Sequence, residues 1–283
     1  MATAAIRKNF YVDDFIGGSN SITEAVNLRE QLSYLFKKGG FDLRTWTSNR
    51  LTVLQGLANE QVGTQDPLQF SPSESIKTLG IIWEPGDDFL RFDSQVQQNN
   101  HLPTKRSILS DIAKLFDPLG LIAPIVVRAK MMMQELWLLT CDWDEPVPEA
   151  TRVKFEKYDR ELHGIASYRV ERYAFFPNSK VELHTFADAF ESAYGACTYA
   201  RCEDDYGNMK VQLLASKSRV APLKRLTIPH LELCAAVLAA HLHARIKKAI
   251  NANVSASYFW SDSSVTLQWL RSPPNSWKTF VAN

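Results

Sequence analysis

The sequence lacks a long apolar run. Its most apolar stretch, residues 119–139, is interrupted by Arg128, Lys130 and Glu135, so no segment of about 18 uncharged apolar residues exists and no membrane span is expected. A signal-peptide core is also missing, because residues 1–10 carry Arg7 and Lys8 and no apolar block, and an intracellular protein is expected. Cysteine is sparse. The four residues Cys141, Cys197, Cys202 and Cys234 form no C-x-x-C pair and have no histidines at zinc-type spacing, which excludes a disulfide framework and a metal clip and leaves them as small core residues. Charge of one sign is missing too. A net charge of +1 excludes the global basic field of a histone-like binder, so any contact with nucleic acid has to come from local basic patches.

What is present is a chain of 283 residues, 45% apolar, which is ordinary for a packed globular protein and long enough for two domains. Tyr11-Val12-Asp13-Asp14 lies between the short apolar runs 10–12 and 15–16 and precedes Gly17-Gly18, a pattern that predicts a tight β-hairpin presenting both carboxylates at its tip. Such carboxylates can hold Mg²⁺, and Asp also occurs in turns for backbone hydrogen bonding alone. A helix is predicted over 21–38, capped by Ser21 and stopped by Gly39-Gly40, with Ala25, Leu28, Leu32 and Leu35 at helical spacing. A strand is predicted over 41–46, a short helix over 49–57 and a loop over 59–75. Residues 77–83 and 89–92 then read as a second hairpin around a Pro-Gly turn in which Asp87 and Asp88 are solvated.

The middle of the chain is helical. One helix opens at 101–106 with Pro103 in its first turn and closes near Asp117-Pro118, a second covers about 124–139, and a charged amphipathic third covers about 149–162. Lys105, Arg106, Arg128 and Lys130 can contact phosphates or form a solvated helical face. Beyond Pro177 the pattern changes to strands at 181–187, 193–200 and 211–216, a helix from Pro229, a strand at 256–260 and a helix from about Ser263. This βββαβα order describes a mixed sheet with helices packed on it, in a domain separate from the helical middle.

Three acids in this last part occupy special positions. Asp188 ends the first strand, Asp262 ends the fourth, and Glu232 sits one turn into a helix that is otherwise apolar nearly all round. Each also has a structural explanation: Asp262 as an N-cap, Glu232 as a partner of the helix dipole. The segment 217–225 carries Lys217, Arg219, Lys224 and Arg225 with no acid among them, and reads as a loop that can hold a nucleic-acid backbone or simply face solvent.

Taken together, the motifs resemble a known family. Tyr11-Val12-Asp13-Asp14 is similar to the catalytic box of reverse transcriptases, and the order Asp188, Glu232, Asp262 is similar to ribonuclease H, in which the first and fourth strands are neighbours. With residues 77–83 and 116–124, Phe186-Ala187-Asp188-Ala189, 229–233 and Trp260-Ser261-Asp262-Ser263, nearly the whole chain resembles the polymerase and ribonuclease H portion of a BEL/Pao-type retrotransposon polyprotein. This region also travels under a Pao retrotransposon peptidase label, yet no Asp-Thr-Gly or Asp-Ser-Gly box is present.

The resemblance implies an α+β chain in three parts: the end of a reverse-transcriptase palm at 1–100, a helical thumb or connection at 101–176, and a C-terminally truncated ribonuclease H-like domain at 177–283. It implies Mg²⁺ or Mn²⁺ as cofactor, held by Asp13 and Asp14 at one site and by Asp188, Glu232 and Asp262 at another, both serving two-metal phosphoryl transfer in a complete parent protein. The implied partners are an RNA·DNA hybrid or template-primer and the rest of the polyprotein. Such palms take another Asp from an earlier strand, and such nuclease sites a fourth acid from a later helix; neither is in this chain, so little activity is expected from it alone. A catalytically dead or domesticated nucleic-acid-binding relic is the alternative.

Overall fold

The computed structural model describes residues 1–11, 13–63, 76–78, 81–92, 102–176 and 179–282. They divide into two compact units, Met1–Asp93 with Ser167–Arg172, and Ser94–Ala166 with Tyr173–Asn283. No helix among the described residues is long and apolar enough to cross a membrane.

The first unit begins with α1 (Ala2–Asn9), followed by the antiparallel pair β1 (Phe10–Tyr11) and β2 (Asp14–Phe15), in which Tyr11 faces Asp14. The Phe10 ring stacks on Phe36 at 5.0 Å and lies 5.3 Å from Phe15, which seats the hairpin on α2 (Ile22–Lys38). Ser21 caps α2 by accepting from the Glu24 amide at 3.2 Å. Arg29 is buried on α2 because it donates to the carbonyls of Val53 and Gln55, holding the short 3₁₀ turn Leu51–Val53.

Two of the strand expectations fail in this unit. Residues 41–45 form no strand, and only an isolated bridge joins Trp46 to Val62; Thr45 sits at φ 55°, a left-handed conformation that interrupts extended pairing. The run at 77–83 is two strands and not one. β3 (Ile76–Thr78) pairs antiparallel with β4 (Ile81–Glu84), Thr78 against Ile81, and β4 pairs with β5 (Phe89–Phe92). Most of the loop expected at 59–75 lies outside the described residues; its start contains a 3₁₀ turn, Asn59–Gln61.

A distant strand, β6 (Arg169–Glu171), completes this sheet beside β5. Its flanking arginine fixes the β4–β5 turn: Arg172 forks onto both Asp88 oxygens at 2.5 and 2.8 Å, and Trp83 Nε1 donates to Asp88 at 3.0 Å. Asp88 is therefore a partnered turn residue and not a solvated one. Burial works to raise its carboxyl pKa, but the bonds from Arg172, Trp83 and Asn49 together hold it below the ordinary value.

The second unit opens with α3 (Lys105–Ala113), whose N-cap is Thr104, so Pro103 precedes the helix rather than occupying its first turn. His101 lies outside the described residues. α4 (Ala123–Leu138) and α5 (Glu149–Leu162) follow where the pattern places them. The long strands β7 (Lys180–Phe190), β8 (Ala193–Glu203) and β9 (Met209–Val220) form an antiparallel meander. Helix α6 (Ile228–Ala249) then leads to β10 (Val254–Trp260), which pairs parallel to β7, giving the spatial order β10-β7-β8-β9. Two short helices close the described chain, α7 (Ser264–Arg271) and α8 (Thr279–Ala282).

Alternation along β7 builds the core. Val181, Leu183, Thr185 and Ala187 are buried and pack with Ala235, Leu238, Ala239, Leu242 and Ile246 of α6, each large apolar side chain contributing about 1.5–3 kcal/mol. The buried hydroxyl of Thr185 lies 3.0 Å from both Thr198 Oγ1 and His243 Nδ1, so α6 is keyed to the sheet by hydrogen bonds as well as by packing. Along the β9 edge, the loop before α4 is bolted to the sheet: the Ser216 amide donates to the Leu119 carbonyl at 2.8 Å, and Ser216 Oγ bonds the Gly120 carbonyl. Gly120 has φ 72°, and a Cβ there would collide with the Ser216 carbonyl oxygen, so glycine is required.

Candidate metal centre

The strand register brings Asp188 and Asp262 together. Trp260 aligns with Phe186 in the parallel β10–β7 pair, and each acid lies two residues beyond its member of that pair. Opposite Asp188 on β8 stands Gly195, which has no side chain to fill the space beside the carboxylate. Glu232 enters from the first turns of α6, where Leu231, Leu233 and Ala235 anchor the helix in the core. One carboxylate oxygen from each of Asp188, Glu232 and Asp262 lies within 4.8 Å of the others.

The three acids are not equivalent. Asp188 and Asp262 are exposed and Glu232 is buried, its Oε2 without a hydrogen-bond partner among the described residues. Burial raises the Glu232 pKa above the usual Glu range, and the charges of Asp188 and Asp262 add to the rise, against a smaller opposing bond from the Ala189 amide. Asp188 Oδ1 accepts the Ala189 amide at 2.8 Å. Asp262 does not cap α7; Ser263 does, its hydroxyl accepting from Thr266 N at 3.2 Å. Three hard oxygen donors at this spacing, one of them buried and unsatisfied, fit a divalent cation such as Mg²⁺ or Mn²⁺.

The other expected positions are elsewhere. Asp13 lies in the turn between β1 and β2 and Asp14 begins β2, both exposed. Among the described residues they join no group of three potential ligands. Lys217 and Arg219 belong to strand β9 and not to a loop, because the β8–β9 ladder continues to Val220; Lys224 and Arg225 follow it, and all four are exposed. In the helical segment, Arg106 pairs with Asp144 at 2.7 Å, Arg128 with Glu161 at 2.7 Å, and Lys105 donates to the Leu139 carbonyl at 2.8 Å.

Sequence reasoning missed an aromatic ladder next to the acids. His184 and Phe186 of β7 face Tyr258 and Trp260 of β10 in register; His184 and Tyr258 stack at 4.9 Å, Phe186 and Trp260 at 6.1 Å, and Trp260 Nε1 donates to His184 Nδ1 at 3.2 Å. Phe186, Tyr258 and Trp260 are 41–49% exposed, on strands whose other β7 face is covered by α6. The signal available in the sequence was the i, i+2 spacing of aromatics leading up to each acid.

A family model described as "Pao retrotransposon-like RNaseH-like domain" matches residues 104–263, more than half of the chain. The chain belongs to this family. Its sheet order and α6 are those of the RNase H-like fold that the family description names. No curated protein matches the chain. Among solved structures, a foamy viral protease-reverse transcriptase dRH in complex with double-stranded DNA matches at 14% identity and a TM-score of 0.47, covering 92% of this chain and 40% of that one. A second foamy viral protease-reverse transcriptase, also with double-stranded DNA, matches at 14% identity and a TM-score of 0.38, covering 72% and 40%. The chain thus spans about 40% of the length of these proteins.

Proposed function

We propose that the RNase H-like domain of this retrotransposon-type protein is a divalent-metal site for cleaving the RNA strand of an RNA·DNA hybrid, with Asp188, Glu232 and Asp262 as the ligands. The observation that carries this is the convergence of the three carboxylates within 4.8 Å around an unpartnered buried Glu232 oxygen. Bound Mg²⁺ or Mn²⁺ ions would supply activation of the attacking water and stabilisation of the leaving oxygen. The chain's own part is to hold the acids on two parallel strands and a buried helix, with α6 excluding water behind Glu232. The aromatic ladder from His184 to Trp260 offers a stacking surface beside the acids, and Lys217, Arg219, Lys224 and Arg225 offer phosphate contacts.

In the same proposal, residues 1–100 are the end of a reverse-transcriptase palm, with Asp13 and Asp14 its metal-binding pair, and 101–176 a thumb or connection of the BEL/Pao type. In such a palm, Asp13 and Asp14 would share their metal ions with a further carboxylate from another strand.

The test combines Mn²⁺ binding, read by electron paramagnetic resonance, with cleavage of a labelled RNA·DNA hybrid. The expected result is saturable Mn²⁺ binding and weak cleavage, both lost in Asp188→Asn. Hybrid binding without cleavage, unaffected by that substitution, would instead mark a nucleic-acid-binding relic. Absence of Mn²⁺ binding would reject the site altogether.

A further inference from the structure

A cavity of about 360 Å³ lies between the loop before α4, the β9 edge and the C-terminal half of α6. That size is in the range of small-ligand pockets. Its lining carries the cations Lys130, Lys217 and Arg245, all exposed, and the single acid Asp117. Among the described residues none of these cations is in an ion pair; Lys130 Nζ reaches only the Ser218 carbonyl, at 3.5 Å. Asp117 is turned to its own loop, its oxygens accepting the amides of Leu121 at 2.8 Å and Ile122 at 2.9 Å. The cations therefore outnumber the acid by two: Lys130 acts electrostatically on Asp117, and Lys217 and Arg245 have no acid beside them in the lining.

The cations are held in place by the fold and do not form a diffuse patch. Lys217 is fixed by β9 pairing, where it faces Ala196, itself opposite Ala187; both alanines are buried, so Lys217 stands on the α6 side of the sheet. Lys130 comes from α4, whose entry loop is tied to Ser216, and Arg245 comes from α6, keyed by His243. Three cations brought together from three elements around a cavity, against the single carboxylate Asp117, leave a net positive charge that suits a phosphate group. Arg245 lies thirteen residues beyond Glu232 on the same helix, about 20 Å along its axis.

We propose that Lys130, Lys217 and Arg245 form a phosphate-binding pocket distinct from the carboxylate cluster. The phosphate is carried either by a nucleic-acid backbone or by a free nucleotide. The proposal does not rest on metal binding at Asp188.

The experiment titrates the full chain with inorganic pyrophosphate in metal-free buffer by calorimetry. Saturable binding is expected, weakened at least tenfold by Arg245→Gln and by Lys217→Gln. It should be unchanged in Lys154→Gln, which removes an α5 cation paired with Glu135, and in Asp188→Asn, which separates this pocket from the metal site. All these residues are exposed, so folding is retained, and Lys130→Gln is a further independent variant. Displacement of pyrophosphate by a 20-base-pair duplex, with the salt slope of duplex binding reduced by about one in Arg245→Gln, identifies the backbone as the source. Displacement by a mononucleotide and not by duplex identifies a free nucleotide. The proposal is overturned if pyrophosphate fails to bind at millimolar concentration, or binds equally well to the Arg245, Lys217 and Lys130 variants.

Discussion

Replacing Asp188 by Asn should stabilise the metal-free protein while abolishing its response to divalent metal. The carboxylate oxygens of Asp188, Glu232 and Asp262 lie within 4.8 Å of one another. At that separation two like charges repel by about 3.5 kcal/mol at an effective dielectric constant of 20 and by about 0.9 kcal/mol in bulk water. Asp188 and Asp262 are exposed, so the screened figure of about 1 kcal/mol governs their pair; the pair with buried Glu232 is screened no better, so about 2 kcal/mol is the least that the two pairs of Asp188 contribute. Asn keeps the bond from the Ala189 amide, so the relief is not offset by an orphaned donor. A gain of this size raises Tm by about 4–8 °C in EDTA.

Metal reverses the order. If the wild-type cluster binds Mg²⁺ with a Kd of about 1 mM, 10 mM Mg²⁺ stabilises it by about 1.4 kcal/mol, or about 3–6 °C, and leaves Asp188→Asn nearly unmoved. Scanning fluorimetry with and without metal reads both effects. A pH series adds a signed check in EDTA: the raised Glu232 pKa gives a contribution to stability that is full below the ordinary Glu range and is lost as pH rises through the folded-state value, a limb that Asp188→Asn should shallow. Equal metal shifts in both proteins, or a variant that melts below wild type in EDTA, would refute the electrostatic reasoning.

Ser263→Ala should cost about 1 kcal/mol through loss of the α7 cap while leaving Mn²⁺ binding intact, because capping and ligation fall to different residues; a variant that loses the metal would contradict that division. Asp88→Asn should cost about 1.5–3 kcal/mol at neutral pH, measured by urea denaturation, since the carboxylate is the acceptor for Arg172 and Trp83. Its lowered pKa means this contribution is present above the unfolded value near 3.8 and lost as pH falls through the folded-state value, so the variant's acid limb should be shallower. Gly120→Ala should destabilise the β9 edge by several kcal/mol, seen as faster amide exchange at Ser216, because both a positive φ and a clash with the Ser216 carbonyl oppose a side chain.

The elements legible in the sequence were those with strong periodicity or a side-chain cap: α2, α4, α5, α6 and the four strands of the second unit. Their ends were less legible. β9 continues through Lys217 and Arg219 because the backbone ladder with β8 tolerates polar side chains on an edge strand, and composition alone read them as a loop. The absence of a strand at 41–45 follows from the φ of Thr45, a residue whose type favours strands, so its sequence pointed the wrong way. At 77–83 the available signal was Gly80 inside a β run. β6 pairs with β5 across 78 to 82 residues, and no local pattern encodes a contact of that range. The phosphate pocket was invisible for the same reason, since Lys130, Lys217 and Arg245 meet only when the α4 loop docks on β9.

The grouping of the three acids was legible only from their joint order, which resembles ribonuclease H, because each taken alone had an ordinary structural use open to it. The structure removes those uses in turn. The N-cap of α7 is Ser263, so Asp262 is not spent on capping. Glu232 lies past the first turn of α6, where the dipole's benefit fades, and its buried Oε2 finds no donor among the described residues, a net cost to the fold. Asp188 satisfies one oxygen with the amide of its own neighbour and otherwise adds repulsion to Glu232. A packed, well-keyed domain that retains three mutually repelling carboxylates at one point gains nothing from them in folding. A bound cation, as proposed, would compensate the arrangement, and that is the property the metal-dependent melting of Asp188→Asn measures.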